Sequence, residues 1–225
     1  MSATELWLPL LAGGSAWLTT RCLVPTLPEP PDAHQDGWTK TPYSQLSDAS
    51  GQWLSCLTGA AAGLVASGQP LWQAPLLLVL AGPTAALTLV DLRTTWLPLP
   101  LTRLCWALAL PACALTVSLS GKALLPSLLA VVGAALLTGA TFWLLWRLGL
   151  GLGFGDVRLA PLLALGTASW SWQAWWLGLL LGSLLGALWG LATAAWRRFR
   201  PHPMGSTFAY GPSLWLGAWL ALALT

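Results

Sequence analysis

Of the seven acidic residues in this chain, only Asp91 and Asp156 abut apolar helical runs, in "LTLVDLRTTWLPLP" and "GLGFGDVRLAPLLALG". Ionisable groups at membrane depth are expensive, so each is a candidate functional group. Three chemistries fit two such carboxylates. They can form a hydrolytic dyad. Each can instead pair with a nearby arginine, Asp91 with Arg93 and Asp156 with Arg158, and merely anchor a helix end. Or they can form an ion- or proton-coupling site of a transporter. Carboxylate placement alone leaves all three open.

The dyad makes the most specific demand. One carboxylate must be ionised to take a proton from water, and the other must be protonated to donate to the scissile carbonyl. Two close acids in a poorly solvated site do both, because repulsion resists double ionisation and one proton is shared. No hydroxyl or thiol nucleophile is needed. The sequence has no GxSxG turn and no convincing Cys–His arrangement, and His34 and His202 lie in hydrophilic loops. Gly149, Gly151, Gly153 and Gly155 alternate ahead of Asp156. Alternate glycines disfavour helix and allow extended or positive-φ backbone, which a substrate strand could approach closely.

The elements that must position these acids are membrane helices. Hydrophobic residues make up 56% of the 225 positions and charged residues 8%, about a third of the charged share of a soluble domain. The expected fold is all-α, a polytopic bundle of about eight transmembrane helices in a lipid bilayer. Spans are predicted over 5–24, 52–67, 71–91, 101–119, 123–146, 157–169, 172–196 and 211–225. A net charge of +3 gives no reason to expect nucleic acid, but its placement is informative. With the N-terminus outside, Arg21, Lys40, Arg93, Arg103, Arg147, Arg158, Arg197, Arg198 and Arg200 fall on the cytoplasmic side, and only Lys122 falls outside. Asp91 and Asp156 then share the cytoplasmic side.

Three regions are expected: an N-terminal transmembrane helix over 1–24, a Pro-rich cytoplasmic loop over 25–51 and a transmembrane domain over 52–225. The loop reads as solvated chain without a packed core, so Glu29, Asp32, His34 and Asp36 read as surface groups rather than metal ligands. Cys22, Cys56, Cys105 and Cys113 include no CxxC pair and read as small packing residues, so neither a metal nor a cofactor is expected. Ala174, Gly178, Gly182, Gly186, Gly190 and Ala194 recur every four residues, a smooth face for a close helix partner. Trp96, Trp143, Trp146, Trp170, Trp172, Trp175 and Trp176 fall near span ends, as interfacial anchors do.

On these residues the chain resembles the type IV prepilin peptidases, membrane aspartic proteases with a GxGD motif. The motif is Gly153-Phe154-Gly155-Asp156, with Arg158 where the family usually has lysine, and Leu165-Gly166 further on. The family's other aspartate stands a few residues before a Leu/Ile-Pro turn, as do Asp91-Leu92-Arg93 before Leu97-Pro98. Phe208-Ala209-Tyr210-Gly211-Pro212 is similar to the family's Phe-Gly-Pro at the start of the last helix, and Gly14-Ser15 with Arg21 is a loose match to its N-terminal motif.

The resemblance covers about 52–225. It implies eight helices, catalysis by Asp91 and Asp156, and support from Gly153, Gly155, Arg158, Pro98, Gly211 and Pro212. It also implies cleavage of prepilin or pseudopilin leaders at the cytoplasmic face of a bacterial cytoplasmic membrane, for type IV pilus, type II secretion or competence systems. Many members carry two CxxC pairs between the first two helices. The Pro-rich loop stands there instead, so neither zinc nor N-methylation of the product follows. Leu99 stands where the family often has Asp or Asn. The alternative expectations are a small carboxylate-dependent transporter and an inactive relative serving pilus or secretion assembly.

Overall fold

The computed structural model describes residues 6–28, 41–197 and 208–225. Glu5, Glu29, Asp32, His34, Asp36, Lys40, Arg198, Arg200 and His202 lie outside the described residues. Every regular element among those described is helical. Helix α1 (Trp7–Leu18) runs on through a π turn (Thr19–Leu23) and a 3-10 turn (Val24–Thr26). It is followed by α2 (Tyr43–Leu46), α3 (Ala49–Ser67), α4 (Ala74–Ala81), α5 (Pro83–Thr94) and α6 (Leu99–Leu119). The chain continues with α7 (Leu124–Arg147), α8 (Phe154–Trp170), α9 (Trp172–Arg197) and α10 (Gly211–Leu224). With α4 and α5 taken as one broken rod and the short α2 set aside, these rods follow the predicted spans one for one. The segments Leu71–Thr94, Leu99–Leu119, Leu124–Arg147 and Trp172–Trp196 are long and apolar enough to cross a membrane, and α10 is a shorter apolar helix. The architecture is an all-α membrane bundle.

Two helices occupy its centre. α5 is buried on every side from Pro83 to Asp91, and α8 from Leu159 to Thr167. A helix that is apolar all round belongs inside a bundle. The outer helices instead turn leucines outward, such as Leu125, Leu129 and Leu136 on α7 and Leu180, Leu184 and Leu188 on α9. In the most apolar 18-residue window of each, 72% of the Leu71–Thr94 rod is buried and 17% of the Trp172–Trp196 rod.

The break between α4 and α5 has a specific cause. Pro83 has no N–H to give the Val79 carbonyl. The Thr84 hydroxyl donates to Val79 O instead, at 3.0 Å, and the Trp215 indole N–H donates to Leu80 O at 2.8 Å. No buried carbonyl is stranded at these two positions, so the rod can turn inside the bundle.

Small residues set the closest approaches. A Cβ on Gly59 of α3 would stand 2.9 Å from the carbonyl oxygens of both Ala12 and Ala81, which locks α1, α3 and α4 together. The stripe on α9 divides in two. Gly178 and Gly182 face Ala218 and Leu214 of α10, whereas Gly186 faces the Tyr210 ring and Gly190 the Phe208 ring. Helix packing explains the first pair. The second pair seats the segment that leads into α10.

Some boundaries and environments differ from the sequence reading. α8 begins at Phe154 rather than 157, so Asp156 lies inside its first turn. The end of the predicted loop is folded: Tyr43 and Leu46 are buried in the core with Val24, and Asp48 caps α3 by accepting the Gly51 N–H at 2.8 Å. The few apolar residues of that stretch are thus enough to dock it. Trp175 is an interior residue rather than an interfacial anchor, 1% exposed, with its indole N–H bonded to the Thr138 hydroxyl at 2.9 Å.

Candidate active site

Asp91 sits in the last turn of α5. That helix ends because Thr95 adopts a left-handed conformation at φ +58°, and its N–H bonds back to Asp91 O at 2.6 Å. A left-handed residue other than glycine costs roughly 1–2 kcal/mol, so the turn beneath this acid is strained. Asp156 is the third residue of α8. Asp91 is 4% exposed and Asp156 5%, and they are the two buried charged side chains among the described residues.

Asp156 is held by its own turn. Its N–H donates to Gly153 O, and the Gly153 N–H donates to Asp156 Oδ2, both at 3.1 Å. The four glycines before it do three different things. Gly149 and Gly151 take positive φ, +71° and +79°, and reverse the chain after α7. Gly153 is extended and caps the helix. Gly155 makes room for a neighbour: a Cβ there would stand 2.6 Å from Leu97 Cδ1 and 2.9 Å from Leu97 Cβ. Leu97 precedes Pro98, which caps α6 and whose carbonyl accepts both the N–H and the hydroxyl of Thr102 at 3.0 Å. The Leu-Pro turn after Asp91 therefore packs directly on the glycine turn before Asp156.

Asp91 is reached from much further away. The Gly211 N–H donates to Asp91 Oδ2 at 3.0 Å in a buried setting. A Cβ at Gly211 would lie 2.6 Å from that oxygen and 3.0 Å from Leu159 Cδ2, one turn along α8 from Asp156. Gly211 is thus wedged between the two central helices. Tyr210, the residue before it, lays its ring against Gly186 of α9, where any Cβ would collide with it. Phe208 meets the Tyr210 ring edge-on at 6.1 Å between centroids. The strap from Phe208 to Gly211 thus joins Asp91 to the helix that carries Asp156. Pro212 follows at the second position of α10, where a missing N–H costs nothing.

The neighbouring arginines have other partners. Arg93 bonds Asp48 Oδ1 at 3.3 Å and Ser50 Oγ at 3.1 Å. Arg158 lies 4.5 Å over the Phe154 ring, which itself meets Trp146 edge-on at 4.9 Å. The Arg158 carbonyl accepts the Trp106 indole N–H at 3.2 Å. Gly166, in the Leu-Gly pair further along, faces the Leu80 side chain and serves packing. Among the described residues no group of three or more His, Cys, Asp and Glu side chains converges as a metal site.

The structure thus joins Asp91 to Gly211, Gly153 to Asp156, and Gly155 to the turn containing Pro98. Sequence reasoning named Leu97 and Tyr210 only as motif residues, without their contacts, and missed Leu159. For Tyr210 the available signal was the glycine stripe, which left room opposite Gly186 for something other than a helix.

The sequence pattern of the type IV leader peptidase family matches residues 76–191, more than half of the chain and including both buried acids. This chain belongs to the type IV leader peptidase family. It is a multi-pass membrane protein of a peptidase family. No curated protein and no solved structure matches it. The match ends before the strap, and the bond from Gly211 to Asp91 is read from the structure.

Proposed function

We propose that this leader peptidase is an aspartic endopeptidase with Asp91 and Asp156 as its dyad. It removes the leader of type IV prepilins or pseudopilins at the cytoplasmic face of a bacterial cytoplasmic membrane. Residues 52–225 form the peptidase domain, behind the N-terminal helix over 1–24 and the loop over 25–51. One observation carries the reading: two buried acids lie on the two central helices, and Gly211 bonds Asp91 while it packs against Leu159, one turn from Asp156. Burying two carboxylates together costs several kcal/mol and gives a stable fold nothing it could not get from apolar residues. A reaction that needs a shared proton accounts for it.

The ionised member of the pair takes a proton from water, and the water oxygen adds to the scissile carbonyl carbon. The protonated member donates to the carbonyl oxygen. When the tetrahedral intermediate collapses, the C–N bond breaks and the leaving amine takes a proton from the pair. Gly211 fixes one oxygen of Asp91, and the first turn of α8 fixes one oxygen of Asp156. The charge distribution, with arginines on this side and Lys122 on the other, supports the cytoplasmic orientation. N-methylation of the product is no part of the proposal.

The test is co-expression of a prepilin with Asp91→Asn or Asp156→Asn. Each single variant is expected to leave the precursor uncleaved while its thermal melt stays close to that of the wild type. Normal leader removal by either one would refute the dyad.

A further inference from the structure

At the other end of α8, about 20 Å from Asp156 at 1.5 Å per residue, the structure has a second polar feature. The turns before α4, between α6 and α7, and between α8 and α9 enclose a cavity of about 200 Å³. Its polar lining includes Lys122, Ser120, Ser127, Ser169 and Ser171, and no acid among the described residues lines it. The Lys122 ammonium lies 5.5 Å over the Trp72 ring, which is paired with Trp170 at 6.1 Å. Ser171 Oγ accepts the Ala174 N–H at 3.0 Å, so its own proton can still be donated. Ser120 and Ser169 spend their hydroxyl protons on Val117 O and Gly166 O, at 2.7 and 2.8 Å, so the donors facing the cavity include Lys122 and Ser171. A cation and a hydroxyl donor without an acid select for an anion.

The cavity does not end there. It shares Ala130, Ala168 and Trp172 with a second cavity of about 300 Å³. This one is apolar and follows α7 past Leu129, Gly133 and Leu137, with Trp175 on its far wall. Leu129 and Leu137 are exposed on the lipid side, and Gly133 has open space before it. A cationic polar head continuous with an apolar trough has the shape of an amphiphile. An apolar helix from a substrate could fill the trough, but it would bring no anion to Lys122 and Ser171.

We infer that this end of the bundle holds one phospholipid, with its phosphate at Lys122 and one acyl chain in the trough between α7 and α9. The site is independent of the dyad and stands or falls without it.

The experiment uses the full chain in detergent micelles and native mass spectrometry. The probes are dioleoylphosphatidylglycerol, dioleoylglycerol, which lacks the phosphate, and inorganic phosphate as competitor. One phosphatidylglycerol per chain should be retained and dioleoylglycerol should not. Lys122→Ala should lower retention about fivefold, the scale of one lysine beside an anionic headgroup. Gly133→Leu, which fills the trough, should lower it further. A phosphatidylglycerol with a photoactivatable acyl chain should label residues 129–137 of the unaltered protein, which keeps the test valid if a variant misfolds. Equal retention of the two lipids, unchanged retention in Lys122→Ala, or labelling away from α7 and α9 would overturn the assignment. Displacement by inorganic phosphate alone would point to a free-phosphate site. Displacement by a synthetic apolar transmembrane peptide, equally from wild type and Lys122→Ala, would assign the trough to a helix.

Discussion

Asp91 takes a backbone donor from Gly211, 120 residues further along the chain, whereas Asp156 takes one from Gly153, three residues before it. Their helix ends differ too. Asp156 lies in the first turn of α8, where aligned amides favour a negative charge. Asp91 lies in the last turn of α5, where exposed carbonyls oppose one. One acid is placed by its own turn. The other depends on the docking of α9, the strap and α10. Two carboxylates with the same burial therefore have different vulnerabilities: local changes should disturb Asp156 little, and remote ones should disturb Asp91 strongly.

After the aspartates themselves, the largest effect should come from Gly211→Ala. Its Cβ would fall 2.6 Å from Asp91 Oδ2 and displace the acid by a good fraction of an ångström. Misplacement on that scale costs on the order of 100-fold in rate, so leader cleavage should fall by about that factor while helical circular dichroism is unchanged. Gly155→Ala should do less, because it strikes Leu97 rather than an acid: the Leu97 Cδ1 can rotate away, and only its Cβ, at 2.9 Å, must be moved with the backbone. Overpacking of about 1–3 kcal/mol is expected in thermal or denaturant unfolding, and Leu97→Ala in the same chain should recover part of it in a double-mutant cycle.

Gly153→Ala should be milder still. Its φ of −76° suits any residue, its N–H is kept, and the new Cβ would lie 3.3 Å from Asp156 Oδ2. A change below about 1 kcal/mol and near-normal cleavage are expected. If Gly153→Ala proved as damaging as Gly211→Ala, the contrast between local and remote placement would fail.

The smallest effect is electrostatic and lies away from the site. The Ser50 hydroxyl, the Gly51 N–H and Arg93 hold the Asp48 carboxyl below its ordinary value. A carboxylate depressed by folding contributes stability above its unfolded value of about 4, and that contribution is lost as pH falls through the folded value. Asp48→Asn keeps an acceptor for the helix cap and removes the charge. Its melting temperature should be slightly below wild type at pH 7, with the gap closing below about pH 4.

Which parts of this were legible in the sequence follows the same division. The rods were readable because apolar runs of this length have few other uses. Asp156 was readable because its glycines and its cap are contiguous. The break at Gly82–Pro83 was hidden in an apolar run, and its stability rests on Trp215, which is remote in sequence. Gly211 was visible as part of a motif, but nothing in its neighbourhood names Asp91 as its partner. Tyr43 and Leu46 were lost in a loop whose average composition is polar. The α9 stripe announced a close partner without saying that half of it would receive aromatic rings rather than a helix.

That stripe gives α9 two alphabets. On the side carrying Leu180, Leu184 and Leu188, one apolar letter can replace another with little consequence. On the other side Gly186 has an alphabet of a single letter, hydrogen, while Gly182 and Gly190, at 3.0 and 3.1 Å from Leu214 and Phe208, leave room for little more. A hydropathy plot scores a leucine at 184 and a leucine at 186 alike. The first is a synonym, while the second strikes the tyrosine whose next residue holds Asp91. Mutational scans of this helix should therefore be read by phase rather than by polarity.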